Sequence, residues 1–300
     1  MDGCLVSLPL PANSAVGAPC QAEVLALFQQ LLPLEIFWAA LHQAKVRENN
    51  RVYTSAVVMW LMICQRLQAE GTLESAVLEL VSGLPGSFWP HPCKRLEEAT
   101  QEGGQKLVSK RTGAYNKARQ ELSLPVVEQC CDHAFRQLLE RAELAPGKQR
   151  AFFFDGTTVR MPHGEELVAA YPPTTNQHGV GHWPLLRLLV AHDLDTGLAL
   201  RPQWGPVNGS QAVSEQGLLE QLVDRLPSEA VIVGDANFGV FSVAYAADQR
   251  GQSVVLRLTA ARARRLAGGA LEDGTDRLPL DSPIAKAIPN FPWMLLCRGD

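Results

Sequence analysis

Few features of this chain point to a specialised environment. Its seven cysteines (Cys4, Cys20, Cys64, Cys93, Cys130, Cys131 and Cys297) are an odd number, and no two stand in C-x-x-C spacing. That argues against a disulfide framework or a zinc ribbon and fits a reducing compartment. The most apolar internal run, Ala56 to Cys64, falls far short of the roughly 20 residues that a spanning helix needs. No basic segment precedes the short apolar run at the N-terminus, so no secretory signal is expected. These absences predict a soluble, cytoplasmic protein with no membrane partner. Positive charge is not in excess either. The formal net charge of −4 excludes a globally basic nucleic-acid binder and leaves any such contact to local patches. Internal repeats and low-complexity tracts are missing as well.

What is present is an ordinary globular composition, 46% hydrophobic and 19% charged, enough to bury a sizeable core. A length of 300 residues predicts two domains, or one large domain with an extra module. Residues 1–20, rich in Pro, Ala, Gly and Ser, read as a flexible lead-in. From Gln21 to about Ala145 the pattern is helical. Leu25, Phe28, Leu32 and Ile36 recur at three- or four-residue spacing, with Pro33 set to break the run. Further helices are expected over 54–69 and 72–82, the first ended by Gly71 and the second capped by Thr72. A loop follows over 83–92. Two more helices are expected over 112–122 and 125–143, with Pro125 in the first turn of the second.

At Arg150 the periodicity changes. Ala151-Phe152-Phe153-Phe154-Asp155 is a short apolar run ending in an acid, the pattern of a buried strand. A long loop from about Met161 to Pro184 is expected next. Leu185–Ala191 and Gly197–Arg201 read as strands joined by an Asp195-Thr196-Gly197 turn, which Asp193 and Asp195 would shape. Gln211–Leu226 has the spacing of an amphipathic helix burying Val213, Leu218, Leu219, Leu222 and Val223. Ala230 to Asp235 is a second apolar strand ending in an acid, followed by a helix over 241–249 and a strand over 253–258.

Two strands that each deliver an aspartate near the C-terminal end form a recognisable chemical pattern, because open α/β sheets bind ligands there. Two buried like charges need a cation between them. Mg²⁺, with Mn²⁺ as a substitute, takes hard oxygen ligands and is often held by one or two protein carboxylates. Two such ions about 3.5–4 Å apart can clamp an in-line attack on a phosphodiester. Each aspartate taken alone is more simply a strand-ending turn residue. The pair carries the argument.

The segments F-F-F-D-G-T-T at Phe152–Thr158 and V-I-V-G-D-A-N-F-G at Val231–Gly239 resemble the first and second aspartate motifs of the IS-four-type (insertion-sequence) DDE transposases. Between them, His182–Gly197 is similar to that family's hairpin, and Ser214–Leu222 to its following helix. Upstream, Ser109 to Leu139 resembles the helical domain that precedes the core. The resemblance covers roughly residues 20–260. It implies an α/β, RNase H-like catalytic core (a mixed sheet with flanking helices) over 150–260, behind an all-helical DNA-binding domain over 21–145. It also implies Asp155 and Asp235 as catalytic metal ligands, Mg²⁺ as cofactor, and double-stranded DNA (transposon ends and target) as partner. A homodimer on DNA and a nucleoid-associated cytoplasmic location would follow. The family's third residue, a glutamate in a Y-x-x-R-x-x-x-E-like helix, has no counterpart among the acids after Asp248. Residues 261–300 then look like the start of an inserted segment, cut short.

Other features compete less well. Lys94, Arg95, Lys106, Lys110, Arg111, Lys117 and Arg119 form the densest basic stretch, read either as phosphate contacts or as a solvated helical surface. Arg262, Arg264 and Arg265 allow the same two readings. His178 and His182 have metal-pair spacing, but the glycines around them argue against a helix presenting both. Trp183 and Trp204 suit core packing or base stacking. Two rival functions stand beside a transposase: a catalytically dead, DNA-binding remnant that inhibits transposition, and an unrelated hydrolase using two carboxylates as acid and base.

Overall fold

The computed structural model describes residues 21–49, 51–68, 71–82, 109–177, 179–267 and 293–296. The chain divides into two compact units, Met1–Ala134 and Phe135–Asp300.

The described part of the first unit is helical: α1 (Gln21–Leu31), α2 (Leu34–Gln43), α3 (Ser55–Leu67), α4 (Leu73–Ser82) and α5 (Gly113–Gln120). Helix α6 (Leu124–Arg141) contains the division. Pro33 separates α1 from α2 and takes the extended N-cap conformation of the second, as a residue without an amide hydrogen should. Thr54 caps α3, its hydroxyl accepting from the Val57 amide at 3.4 Å. The Glu48 carboxylate accepts from the Ser55 amide at 2.6 Å, satisfying another first-turn donor. Helix α3 has no polar stripe over Ser55–Leu61 because it is buried on every side there. Its Trp60 ring stands 5.5 Å from that of Phe28. Gly71, at φ +52, turns the chain, and the Thr72 hydroxyl accepts from Ser75 to start α4. Tyr115 is fully buried, donates to Gln65 Oε1 at 2.8 Å, and has its phenol pushed up to about 12, chiefly by burial. Burial, with Cys131 adding to it, also pushes the Cys130 thiol up to about 12, which leaves it a packing residue.

The second unit is α/β. Its elements are β1 (Ala151–Arg160), α7 (Glu165–Ala170), β2 (Thr175–Asn176), β3 (Gly179–Val180), β4 (Leu185–Asp193), β5 (Gln203–Pro206), α8 (Glu215–Leu222), β6 (Val231–Gly234), α9 (Phe241–Asp248), β7 (Ser253–Arg257), α10 (Ala260–Ala267) and β8 (Trp293–Leu296). The mixed sheet has the order β5-β4-β1-β6-β7-β8. Strands β5, β4 and β1 are antiparallel neighbours, while β6, β7 and β8 run parallel to β1. Phe152, Phe154, Leu189, Ile232, Val254 and Leu256 pack in one core with Leu218, Leu219 and Leu222 of α8 and Val243, Ala244 and Ala247 of α9.

Four expectations need correction. Strand β1 does not end at Asp155 but runs to Arg160, because β4 pairs with it through Arg160↔Leu185. The expected loop over 161–184 contains α7 and the small β2–β3 hairpin. After the turn at Gly197 (φ +72), only the isolated bridge His192↔Ala199 forms, and the partner strand of β4 is β5 at 203–206. The helix expected over 211–226 is shorter, Glu215–Leu222 with one 3₁₀ turn after it. Ser214 sets its start by accepting from the Gly217 amide at 3.0 Å.

Asp193 does shape the turn, and it does more. Its side chain is fully buried, accepts from the Asp195 amide and the Thr196 hydroxyl, and pairs with Arg150 at 2.8 Å. Arg150 in turn donates to the carbonyls of Leu139 and Ala142. Removing one member of a buried pair strands the other. Asp193→Ala is therefore expected to lower stability by about 3–5 kcal/mol. Lys148→Ala, which breaks the more exposed pair with Asp195, should cost under about 1 kcal/mol. Urea denaturation of both variants checks this, and equal costs would rule out the buried-charge account.

Candidate functional site

The parallel register assembles the site. Ala151, Phe152 and Phe153 of β1 face Val231, Ile232 and Val233 of β6. Counting two residues on from the last pair brings Asp155 level with Asp235. Strand β7 extends the row, since Gly234 faces Leu256 and Arg257 therefore stands level with Asp235. Neighbouring strands lie about 4.8 Å apart and side chains alternate between faces. Asp155, Asp235 and Arg257 thus share the face of Phe153, Val233 and Val255, opposite the one that α8 and α9 cover. All three are exposed. The expectation that the two carboxylates are buried is corrected accordingly: the apolar residues of β1 that are buried, Phe152 and Phe154, are on the other face, and Phe153 is 38% exposed.

The chain around Asp235 is held from two sides. Asp235 Oδ1 accepts from the Asn237 amide at 2.9 Å, closing a turn directly after β6. The Asn237 side chain donates to Glu215 on α8, and Gln216 donates to both the carbonyl and the side-chain oxygen of Asn237, each at 2.8 Å. From the other side, Arg262 of α10 donates to the carbonyls of Ala236 at 2.6 Å and Gly239 at 3.3 Å. Gly239 lies so close to β7 that a Cβ there would run into the Arg257 carbonyl oxygen. Glu215 also reaches β1, because only a glycine at 156 leaves room for its carboxyl arm. This third carboxylate packs over Gly156, on the opposite face of β1 from Asp155. Among the described residues no group of three or more His, Cys, Asp and Glu side chains could hold a metal ion.

Of the basic stretch, Lys94, Arg95 and Lys106 lie outside the described residues. Lys110 and Arg111 are exposed just before α5. Lys117 pairs with Glu121 at 3.6 Å, and the Arg119 guanidinium lies 5.7 Å over the Tyr115 ring. His178 is likewise outside the described residues, while His182 stacks on His163 at 4.4 Å and meets Trp183 edge-on. Stacked imidazoles 9° from parallel do not aim lone pairs at one ion. Trp204 is half-buried on β5. No single described helix is long and apolar enough to cross a membrane.

Sequence reasoning missed Asn237, Glu215, Arg257 and the anchoring role of Arg262. Asn two positions after a strand-ending Asp is a turn signal that was available. The level position of Arg257 depends on register and was not. Comparison with protein-family models, characterised proteins and solved structures gives no match to this chain.

A Cβ at residue 156 would lie 2.6 Å from Glu215 Cδ. Gly156→Ala is therefore expected to displace that flexible arm at a cost of about 1 kcal/mol, one hydrogen bond, and to speed hydrogen exchange over 235–240. Glu215→Ala should speed the same amides. If Gly156→Ala alone does so, Glu215 is not what couples the two strands.

Proposed function

We propose that the chain is a DDE-type DNA transposase with an RNase H-like core, in which Asp155 and Asp235 hold Mg²⁺ for DNA strand cleavage and transfer. The observation that carries this reading is the level placement of Asp155, within β1, and Asp235, the residue directly after the adjacent parallel strand β6, on one exposed face of the mixed sheet. An antiparallel run β5-β4-β1 continued by the parallel strands β6 and β7 supports the RNase H-like description. Two carboxylates fit a sparse Mg²⁺ site completed by water and phosphate oxygens. Bound there, the ion would supply Lewis-acid activation of a water or a 3′-hydroxyl. The protein's own contribution is geometric: Asn237, Gln216 and Arg262 fix the turn that carries Asp235, and the ladder to β4 fixes Asp155. The described basic residues Lys110, Arg111, Lys117 and Arg119 are assigned to DNA, as are Lys94, Arg95 and Lys106.

One observation favours a second reading, a DNA-binding remnant or transposition inhibitor. Among the described residues no third ligand joins the two aspartates. Loss of positioning alone costs on the order of 100-fold, so cleavage by this chain should be slow even if the ion binds.

The full chain is expected to bind one Mn²⁺ weakly, as read by electron paramagnetic resonance. Asp155→Asn and Asp235→Asn should each weaken it by more than about tenfold, the scale seen even for outer-shell partners. Nicking of duplex DNA in Mg²⁺ or Mn²⁺, run beside the binding assay, separates the two readings. Mn²⁺ binding indifferent to both substitutions sinks the metal-site assignment.

A further inference from the structure

Residues 257–265 contain four arginines and no acid, in a chain whose overall charge is negative. Their placement is specific. Arg257 ends β7 level with Asp235 and Asp155, on the same exposed face, one strand spacing beyond the carboxylates. Its guanidinium forms no ion pair or side-chain hydrogen bond with any described residue, despite the acids nearby. Helix α10 starts three residues later, at a turn where the Thr259 hydroxyl accepts from the Arg262 amide and Ala263 is buried. Arg262 is spent on the Ala236 and Gly239 carbonyls, which seats this helix against the turn that carries Asp235. Arg264 and Arg265 are exposed and likewise engage no described residue.

We infer that Arg257, Arg264 and Arg265 form a phosphate-binding edge on which the sugar–phosphate backbone of duplex DNA lies as it enters the Asp155–Asp235 site. The choice of duplex DNA rests on the function proposed above; the anion class rests on the arginines. A planar guanidinium without a protein partner matches phosphate oxygens, two at a time, better than any other side chain. Arg257 stands level with the two carboxylates that would otherwise repel a polyanion, and Arg264 and Arg265 lie exposed on the helix that Arg262 seats against the turn carrying Asp235. Arg262 is the positioning residue of this edge rather than part of it, because both of its contacts are to protein carbonyls.

The competing account is that Arg257 merely offsets the two carboxylates. The two accounts give opposite readouts. If the edge binds DNA, the full chain titrated by fluorescence anisotropy against a random-sequence duplex, without metal, shows affinity that falls steeply with KCl. The triple variant Arg257→Ala/Arg264→Ala/Arg265→Ala then lowers the slope of log affinity against log salt by about 2 to 3, near 0.9 for each lost phosphate contact. Lysines at the same three positions restore the slope. A triple alanine variant with the parent's slope overturns the edge, as does a parent whose binding ignores salt. If Arg257→Ala tightens Mn²⁺ binding and leaves the DNA slope alone, charge offset is its role and the edge is again overturned. The metal reading fails separately: Mn²⁺ binding indifferent to Asp155→Asn and Asp235→Asn, with the slope still lost in the triple variant, removes the metal site and keeps the edge.

Discussion

Everything distinctive about the second unit depends on the register of β6 between β1 and β7. Parallel strands present one row of side chains at each level, so a single pairing, Phe153↔Val233, decides what stands beside what. A slip of one residue would turn Asp235 towards the helix-covered face and put Gly234 beside Asp155. Two features resist that slip. Ile232 and Val254 are buried in the core on one side of the sheet, and Gly234 is so closely faced by Leu256 and Phe238 that a larger residue would crowd them. Hydrophobic burial on one face thus sets the polar chemistry on the other.

Strand ends are ordinarily where such order is lost, and here the end of β6 is pinned by side chains. The turn after Asp235 receives hydrogen bonds from Gln216 on α8, before it, and from Arg262 on α10, beyond α9 and β7. The two donors come from opposite directions along the chain, so the bracing forms only once β7 and α10 are in place. Long-range bracing of the same kind holds at the other end of β1. Arg150 and Asp193 neutralise each other in the interior and together satisfy the turn of 193–197 and the C-terminal carbonyls of α6.

Much of the element order was legible from residue types with a direct steric effect. Pro33, Gly71, Thr72 and Pro125 mark helix ends because each acts on its own backbone, whatever surrounds it. Asp235 was legible as a strand-end acid, directly after β6. What was not legible was set by partners far away in sequence. Asp155-Gly156-Thr157-Thr158 reads locally as a turn, yet β4 supplies a full ladder that keeps it extended. The apolar run Phe152–Phe154 reads as buried on both faces, whereas the helices α8 and α9 cover only one, which leaves Asp155 exposed. Asp193 and Arg150 were readable as charges but not as a buried pair, because 43 residues separate them.

The length of β1 makes the two flanks of the aspartate pair unlike. Strands β1, β4 and β5 carry on past the level of Asp155, β1 by five residues to Arg160, while β6 stops at Gly234 and β7 at Arg257. At about 3.3 Å per residue, that difference makes a step in the sheet of roughly 17 Å. The carboxylates stand at the inner corner of the step, with a riser of antiparallel strands on one flank and, among the described residues, the turn after Asp235 and the start of α10 on the other. Among the described strands the two flanks of the carboxylates are therefore unlike: on one the backbone runs on extended, and on the other it turns away into helices.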